Sequence, residues 1–369
     1  EPGRGFHSGG SFPMRQNPGE LETDALGRLR GWRRIHLVDA SVLPDIPATQ
    51  ITFSVMANAH RIGSAPEPAE STGVESSCLG GAKAPGVCAI TGSNGYVGGA
   101  IKNYFLTQGW DVLDLVRQPK AGARTARFQL GADVPADSLA GVDVLVHCAY
   151  DFKPLQWEEL RAVNVAGTEK LFRAARTAGV KKIICISTIS AYEGCRSLYG
   201  RAKLEIEKLA LDHGALVIRP GLVYGRGPGG MFGKLAQQVR KSSVIPLIGD
   251  GSQIQYLVHE EDLSRFIWRY AAGEIQCGPR ILTAANAEPW PFKKLLREIA
   301  RGQNRKPAFI PLPWRLVWLG LRSAEACSLR LNFRSDSLVS LMYQNPNPDF
   351  SPNAAAGLVC RSFSSENVP

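Results

Sequence analysis

The sequence predicts an α/β protein with a doubly wound parallel sheet. From residue 87 onward, short runs of apolar residues alternate with longer segments that have helical periodicity. A glycine-rich turn joins the first apolar run to the first helical segment, and a Tyr-x-x-x-Lys pair follows a later run. Parallel strands are buried on both faces and need helical crossovers, so this alternation favours a parallel sheet with helices on each face.

Each apolar run has the length of a buried strand. The predicted strands are Val87–Thr91, Asp111–Val116, Asp143–His147, Lys182–Ser187 and Ala215–Arg219. The predicted helices between them are Gly95–Leu106, Leu160–Ala178 and Leu198–His213. After Pro220 the alternation loosens and residues 225–250 are rich in glycine, so we expect a smaller second lobe that covers the first.

Composition and charge disfavour several classes of protein. Of 369 residues, 44% are hydrophobic and 21% are charged, which is ordinary for a globular chain. The net charge of +10 is scattered, so we expect a phosphate-bearing cofactor and no nucleic-acid partner. The eight cysteines form no Cys-x-x-Cys pair, so we expect no metal site, no disulfide framework and a cytoplasmic location. The first residues do not resemble a signal peptide.

The most apolar stretch near the C-terminus is Phe309–Leu321. Pro311, Pro313 and Arg315 interrupt it, so we expect no membrane span. We expect a buried helix here, with a helix that lies on a membrane or on a partner as the alternative.

The glycine-rich turn lies where a dinucleotide-binding loop begins a helix. Gly92 allows the tight turn, Gly95 lets the backbone approach a pyrophosphate, and Gly98 lets the helix pack closely on the strand. The N–H groups at the start of the helix would then face the phosphates. The cofactor-binding residues predicted in this turn are Gly92, Asn94, Gly95, Tyr96, Val97 and Gly98.

The end of the second strand bears on the choice of nicotinamide cofactor. An acidic residue at this position binds the adenosine ribose of NAD, but here the position is Val116. Arg117 follows it and can pair with a 2′-phosphate. We therefore expect NADP, with NAD as the alternative.

Tyr199 and Lys203 are four residues apart on a predicted helix and therefore share a face. A free tyrosine has a pKa of about 10, and a neighbouring lysine ammonium and a positive nicotinamide ring lower it. Tyr199 can then exchange a proton with a substrate hydroxyl or carbonyl while hydride moves to or from the nicotinamide. Thr188 follows the preceding strand and can hold the substrate oxygen, and Lys203 can also bind the nicotinamide ribose.

Several short segments follow one another along the chain. They are Thr-Gly-Ser-Asn-Gly-Tyr-Val-Gly (91–98), Val-His-Cys-Ala (146–149), Asn-Val-Ala-Gly-Thr (164–168), Ile-Ser-Thr-Ile-Ser-Ala-Tyr (186–192), Tyr-Gly-Arg-Ala-Lys (199–203), Arg-Pro-Gly-Leu-Val-Tyr-Gly (219–225) and Val-His-Glu-Glu-Asp-Leu (258–263). With them, the chain from residue 86 onward resembles the NAD(P)-dependent epimerase/dehydratase family, the extended short-chain dehydrogenases with a Rossmann fold. The resemblance implies that Asn164 supports the active-site geometry, and that Ala149 and Pro220 are among the cofactor-binding residues. It also implies that His259 and Asp262 belong to an element that packs the second lobe.

One position departs from the sugar-nucleotide members of that family. They usually carry an arginine just before the segment at Val258, where it binds the diphosphate, but this chain has Gln255. A neutral amide cannot make the bidentate charged contact. Reduction or dehydrogenation of a carbonyl or alcohol is therefore favoured over epimerisation.

The N-terminal residues carry a different set of segments. These are Gly5–Met14, Ile35–Pro44, Thr49–Thr52 and Met56–Ile62. With them, residues 5–63 resemble the C-terminal end of glucose–methanol–choline (GMC) flavin oxidoreductases, with the catalytic histidine on His7 and its second histidine or asparagine near Gln50. The flavin-binding glycine loop of that family does not precede His7, so we expect no FAD. A gene fusion and a faulty joining of neighbouring genes both remain open.

These features predict a four-part chain. The parts are a partial α+β flavoenzyme-tail fragment (1–63), a linker (64–85), an NAD(P)-binding Rossmann domain (86–225) and a smaller C-terminal substrate-binding lobe (226–369). The expected function is hydride transfer between nicotinamide and a small-molecule carbonyl or alcohol. The alternatives are a nucleotide-sugar epimerase or dehydratase, an inactive cofactor-binding scaffold and, less favoured, an FAD-dependent alcohol oxidase. Assembly into a homodimer is left open.

Overall fold

The chain forms two compact units, residues 1–81 and 82–369. The computed structural model describes residues 10–15, 18–19, 21–29, 36–44, 52–63, 86–119, 124–225, 227–278, 280–327, 329 and 333–364. His7, Gln50 and residues 64–85 lie outside these ranges.

The described part of the first unit contains one α-helix, α1 (Thr52–Gly63), and a 3₁₀ turn at Ala40–Val42. Thr23 forms isolated β-bridges with two other segments, and Val42 is fully buried. Arg61 of α1 donates a 2.7 Å hydrogen bond to the carbonyl of Ala25. The resemblance of this unit to a flavoenzyme tail stays a prediction.

The second unit is built on a seven-stranded parallel sheet. Its strands are β1 (Val87–Thr91), β2 (Asp111–Val116), β3 (Thr125–Arg127), β4 (Val144–His147), β5 (Lys182–Ile186), β6 (Leu216–Pro220) and β11 (Ile281–Ala284). They lie in the order β11-β6-β5-β4-β1-β2-β3. The five predicted strands are confirmed to within one residue at each end. Sequence periodicity did not identify β3, which has only three residues, or β11, which follows the glycine-rich region.

The remaining strands of this unit form three two-stranded pairs. The pairs are β7 (Leu222–Tyr224) with β10 (Leu257–His259), β8 (Val244–Ile248) with β13 (Ala308–Leu312), and β9 (Ile254–Gln255) with β12 (Trp290–Pro291). The first two pairs are parallel and the third is antiparallel.

Ten α-helices surround the strands in the described part of this unit. They are α2 (Tyr96–Thr107), α3 (Trp157–Leu160), α4 (Ala166–Thr177), α5 (Leu198–Asp212), α6 (Gly230–Lys241), α7 (Glu260–Ala272), α8 (Phe292–Gly302), α9 (Trp314–Ala326), α10 (Ser335–Met342) and α11 (Ser351–Ala355). A 3₁₀ turn occurs at Ala136–Leu139. The helix predicted over Leu160–Ala178 is interrupted, because a π-helical segment, Arg161–Val165, joins α3 to α4. Such segments occur often at functional sites, and this one contains Asn164.

Two apolar cores lie on the two faces of the large sheet, which confirms the predicted doubly wound arrangement. One core contains Phe105 of α2 and Phe266 of α7, and the other contains Phe172 of α4 and Ile206 of α5. A third core belongs to the second lobe and includes Tyr224, Phe232, Trp290 and Phe363.

The order of the strands complicates a division of this unit at residue 225. Residues 222–280 lie between β6 and β11, which are neighbours in the sheet with Val217 opposite Ile281. Helix α7 also follows residue 225, yet it packs in the same core as α2. The second lobe therefore leaves the sheet after β6, and the chain returns to the sheet at β11.

The expectation of a buried helix over Phe309–Leu321 is wrong. This stretch forms β13 and the start of α9, and no residue of α9 is buried. Leu316 and Leu319 are 66% and 57% exposed. Helix α9 packs mainly on α10, where the rings of Trp314 and Tyr343 meet edge to face at 5.9 Å, so only one of its sides is covered.

Candidate active site

The glycine loop after β1 is shaped by close backbone contacts. Gly92 has a φ of +69°, and a Cβ at this position would lie 3.0 Å from the backbone nitrogen of Ala149. A Cβ on Gly98 would lie only 2.3 Å from the carbonyl oxygen of Gly92. A side chain on Gly98 would therefore push the start of α2 away from the loop, and one on Gly92 would clash with the segment that follows β4.

The polar groups of this loop fit a bound diphosphate. Gly95 is the N-cap of α2 and offers no side-chain cap to the first turn. The hydroxyl of Ser93 is buried and has no hydrogen-bond partner among the described residues. Asn94 is exposed beside it, while Val97 packs against the core. Uncapped N–H groups at a helix N-terminus attract phosphate oxygens.

Tyr96 connects the glycine loop to the second lobe. Its ring lies against Gly229 and Gly230, where an added Cβ would come within 2.7 and 2.6 Å of ring carbons. Its hydroxyl forms a hydrogen bond with Glu260 at the start of α7. Burial, and then Glu260, raise the pKa of Tyr96, so this tyrosine stays neutral at neutral pH.

Two arginines end neighbouring strands at the carboxyl edge of the sheet. Arg117 is exposed directly after β2, and Arg127 is exposed at the end of β3, opposite Val116. Sequence reasoning missed Arg127 because β3 itself was not recognised.

A chain of buried hydrogen bonds runs beneath the cofactor loop. His147 Nδ1 lies 2.8 Å from Thr91 Oγ1, and His147 Nε2 lies 2.9 Å from Thr168 Oγ1. Thr91 Oγ1 also accepts hydrogen bonds from the backbone N–H groups of Cys148 and Ala149 at 3.0 and 3.1 Å, so its own proton is directed to Nδ1. His147 then carries its proton on Nε2 and donates it to Thr168. Burial, and then the charge of Lys203, lower the pKa of His147 to about 3.

Asn164 fixes the segment that follows β4. Its Oδ1 accepts a 2.7 Å hydrogen bond from the N–H of Asp151, and its Nδ2 donates a 3.0 Å bond to the Asp151 carbonyl. Asn164 is fully buried. It thereby sets the position of Tyr150 and Phe152, whose rings face Tyr199.

The structure brings Thr188, Tyr199 and Lys203 together at the carboxyl end of β5. The Thr188 hydroxyl forms a hydrogen bond with the Tyr199 phenol. The Tyr150 ring lies edge-on to the Tyr199 ring, with centroids 4.9 Å apart. Lys203 is buried, with its Nζ 5.2 Å from the Tyr150 ring centroid and 2.8 Å from the Ile186 carbonyl to which it donates.

The pKa of Tyr199 differs from the sequence expectation. Burial raises the pKa of Tyr199 to about 12, and the hydrogen bond from Thr188 only partly opposes this effect. Lys203 does not lower it here, because its ammonium group is directed to the Ile186 carbonyl. Burial also lowers the pKa of Lys203. The protein alone therefore holds Tyr199 as a neutral phenol, which can donate a proton.

The N-terminus of α5, which carries this pair, is capped twice. Ser197 Oγ accepts a 3.1 Å bond from the N–H of Gly200. Asp336, from α10, accepts bonds from the N–H groups of Leu198 and Tyr199. Negative charge at a helix N-terminus is stabilising, so α10 helps to fix the first turn of α5.

A small cavity borders Tyr199. It is lined by Tyr150, Phe152, Leu160, Leu198, Tyr199, Arg334 and Asp336. Arg334 donates hydrogen bonds to the carbonyls of Phe152 and Pro154. The hydroxyl of Tyr150 and the Nε of Arg334 are buried without a hydrogen-bond partner among the described residues. The sequence offered no signal for this cavity, because its residues come from distant segments.

A buried ion pair supports the same helix. Glu207, one turn beyond Lys203, pairs with Arg219 of β6 at 2.6 Å and also accepts a hydrogen bond from Ser187. Glu207 is only 2% exposed. This pair attaches α5 to the sheet and was not identified from the sequence.

The remaining predicted positions make structural contacts. His259 caps α7 through a 3.2 Å bond from the N–H of Glu261, and Asp262 of that helix binds the Arg361 side chain. The Pro220 carbonyl accepts a 3.0 Å bond from the N–H of Ile189 next to Thr188. Gln255 is buried and donates to the adjacent Ile254 carbonyl.

No helix among the described residues is both long and apolar enough to cross a bilayer. No group of three or more His, Cys, Asp or Glu side chains there is placed to hold a metal ion.

Comparison with known proteins identifies a family and several relatives. Residues 88–276 match the NAD dependent epimerase/dehydratase family. The ceramide reductase of Caulobacter vibrioides (strain NA1000 / CB15N) is 29% identical over 240 residues, which cover 62% of this chain and 74% of that protein. The UDP-glucose 4-epimerase of Vibrio cholerae is 32% identical over 202 residues, which cover 46% of this chain and 61% of that protein.

A solved structure shares the fold. MoeE5 in complex with UDP-glucuronic acid and NAD aligns with a TM-score of 0.59 and 20% identity. The alignment covers 77% of this chain and 96% of MoeE5. At this identity the likeness shows the Rossmann-like fold alone.

Proposed function

Since residues 88–276 match its profile, the chain belongs to the NAD dependent epimerase/dehydratase family, and we propose that it is an NADP-linked reductase of a carbonyl compound. One observation carries this proposal. Tyr199 is a neutral phenol bound to Thr188, beside a buried Lys203, at the carboxyl end of the sheet that also carries the glycine loop. This set supplies a proton donor, a support for the substrate oxygen and a cation at one place.

The roles of the residues follow from these contacts. When bound, the nicotinamide supplies the hydride. Tyr199 donates its phenolic proton to the substrate oxygen as the carbonyl becomes an alcohol. Thr188 holds that oxygen through its hydroxyl, and Lys203 supplies a cation that binds the ribose hydroxyls. The glycine loop, Ser93 and the N-terminus of α2 would hold the diphosphate.

NADP is favoured by charge at the adenosine end. Arg117 and Arg127 are exposed where β2 and β3 end, and the acidic residue expected for NAD is Val116 instead. A 2′-phosphate accepts bidentate hydrogen bonds from a guanidinium group.

Epimerisation or dehydration of a nucleotide sugar is the second candidate, favoured by the similarity to UDP-glucose 4-epimerase. Gln255 opposes it, because its amide already donates to the Ile254 carbonyl and carries no charge for a diphosphate. The substrate of the proposed reduction is a carbonyl compound without a nucleoside diphosphate.

The experiment is a substrate screen that follows NADPH and NADH oxidation. Ketones of increasing apolar size should be compared with UDP-glucose and UDP-galactose. We expect NADPH oxidation with at least one ketone and no interconversion of the sugars. Tyr199→Phe should lower turnover by about 10²-fold or more while NADPH binding persists. Tyr104→Phe, a tyrosine of α2, is the matched control.

Two outcomes would contradict the proposal. Sugar interconversion without net cofactor oxidation would assign the site to an epimerase. Cofactor binding without turnover of any compound, unchanged by Tyr199→Phe, would favour an inactive scaffold.

For residues 1–63 we expect no flavin, so the purified protein should be colourless, and flavin absorbance would contradict this.

A further inference from the structure

The second lobe carries a two-stranded sheet that is apolar on both faces. The inner face of β8 contributes the buried Ile245 and Leu247 to the lobe core. On the outer face, Val244 pairs with Ala308 and Pro246 pairs with Ile310. Val244 and Ile310 are 48% and 49% exposed. A solvated face of a sheet is usually polar, so this outer face differs from an ordinary surface.

The apolar surface continues into α9. Pro313 connects β13 to this helix directly, and Leu312 is exposed at the end of the strand. Leu316 and Leu319 follow one turn apart on the exposed side of the helix. We call the exposed side chains of Val244, Ile310, Leu312, Leu316 and Leu319 the apolar platform.

Basic residues are frequent in the segment that carries most of the apolar platform. From residue 305 to residue 330 the sequence contains five basic residues and one acidic residue. Arg315 and Arg322 are exposed and lie over the rings of Trp314 and Trp318, 5.8 and 6.0 Å from their centroids. The acidic residue, Glu325, is mostly buried, accepts hydrogen bonds from Ser335 and lies 4.0 Å from Arg322, whose side chain stays 57% exposed.

The geometry points to a docking surface for an anionic membrane, with α9 lying in the plane of the interface. Helices of this kind present leucines to the acyl boundary and basic side chains to anionic headgroups. A second copy of the chain fits less well, because a two-fold contact would bring Arg315 and Arg322 near their own copies. This inference goes beyond the proposed reduction and does not depend on it.

The platform is connected to the active site. Ser335, held by Glu325 of α9, begins α10, and the next residue is Asp336, which caps the helix of Tyr199. Helix α9 is therefore linked to the first turn of α5 through α10.

Vesicle flotation tests this inference with the full chain. Phosphatidylcholine vesicles with and without phosphatidylglycerol should be compared at low and high salt. We expect binding to the anionic vesicles that salt weakens. The double variant Leu316→Gln/Leu319→Gln should bind about tenfold less, because two exposed leucines no longer enter the interface. The double variant Arg315→Gln/Arg322→Gln should lose mainly the part of the vesicle binding that salt weakens.

Matched controls are Leu106→Gln, an exposed leucine of α2, and Arg173→Gln, an exposed arginine of α4. Thermal unfolding and NADPH binding should be unchanged in all variants, which separates docking from folding and from activity. Absence of wild-type binding to anionic vesicles at low salt would overturn the inference, as would equal binding by the leucine variant. A dimer that the leucine substitutions dissociate would assign the surface to a second copy and also overturn it.

Discussion

The carboxylate of Asp336 accepts a 3.0 Å hydrogen bond from the backbone N–H of Tyr199, 137 residues earlier in the chain. The other oxygen of the same carboxylate accepts a 2.7 Å bond from Leu198. Asp336 therefore fixes the backbone of Tyr199, while Thr188 forms a hydrogen bond with its phenol. Helix α10, far from α5 in the sequence, therefore supplies a contact at the residue that carries the phenol.

We expect Asp336→Ala to lower turnover by about tenfold, because two N–H groups at the start of α5 lose their acceptor and the first turn loosens. Affinity for NADPH should change little, since the hydrogen bonds of Asp336 go to the start of α5 and not to the glycine loop. Steady-state kinetics and cofactor titration measure the two effects. Asp349→Ala, which removes an exposed carboxylate that bonds to Ser351, is the control. Unchanged turnover in Asp336→Ala would show that α10 does not position Tyr199.

The titration of Tyr199 should depend on the cofactor. Without cofactor, its pKa of about 12 means that the phenol stays protonated at neutral pH. The tyrosinate absorbance difference between the wild type and Tyr199→Phe should therefore appear only near pH 12. NADP⁺ should move this difference to lower pH, because a positive ring favours the phenolate. A difference signal near pH 7 without cofactor would contradict the burial argument.

His147 should make the stability depend on pH. Its pKa is about 3 in the folded protein against 6.5 ordinarily, so between these values only the unfolded chain takes up the proton. The free energy of unfolding should fall by about 1.4 kcal/mol for each unit of pH lost in this window, and this contribution should vanish above it. Denaturant unfolding of the wild type, His147→Gln and the control His213→Gln measures the slope. The same slope in His147→Gln and the wild type would assign the acid sensitivity elsewhere.

Arg117 and Arg127 should determine the preference for NADP. Arg117→Ala and Arg127→Ala should each weaken NADPH binding by about tenfold, the effect of losing one charged hydrogen-bonding group, with NADH binding unchanged. Arg124→Ala is a matched control, because Arg124 lies at the opposite end of β3 and pairs with Asp111. Equal affinity of the wild type for both cofactors would remove the basis for this prediction.

The sequence predicted those parts of the site that are local. The turn from Gly92 to Gly98 and the pair of Tyr199 and Lys203 each lie within one short segment, so their spacing alone indicates their geometry. Asp336 and Arg334 could not be found in this way, because they meet α5 and the β4 end only through tertiary contacts. In the sequence, His147 is simply the last residue of an apolar strand, and only the structure shows its hydrogen bonds with Thr91 and Thr168.

Helix α9 shows a different limit of sequence reasoning. Apolar residues occur on more than one side of it, so periodicity predicts a helix but does not show which side is covered. Trp314 turns toward α10, whereas Leu316 and Leu319 remain exposed. Only the tertiary structure distinguishes the two sides.

The place of β11 has a consequence for the order in which the protein is made. Ile281–Ala284 pairs with β6, so the sheet stays incomplete during synthesis until residues 221–280 and then β11 itself have left the ribosome. Until then the edge of β6 presents unpaired N–H and C=O groups and can pair with another nascent chain. We expect the newly made protein to be most prone to aggregation in this interval, and chain truncations that end before Ile281 to be insoluble although they retain the glycine loop and Tyr199.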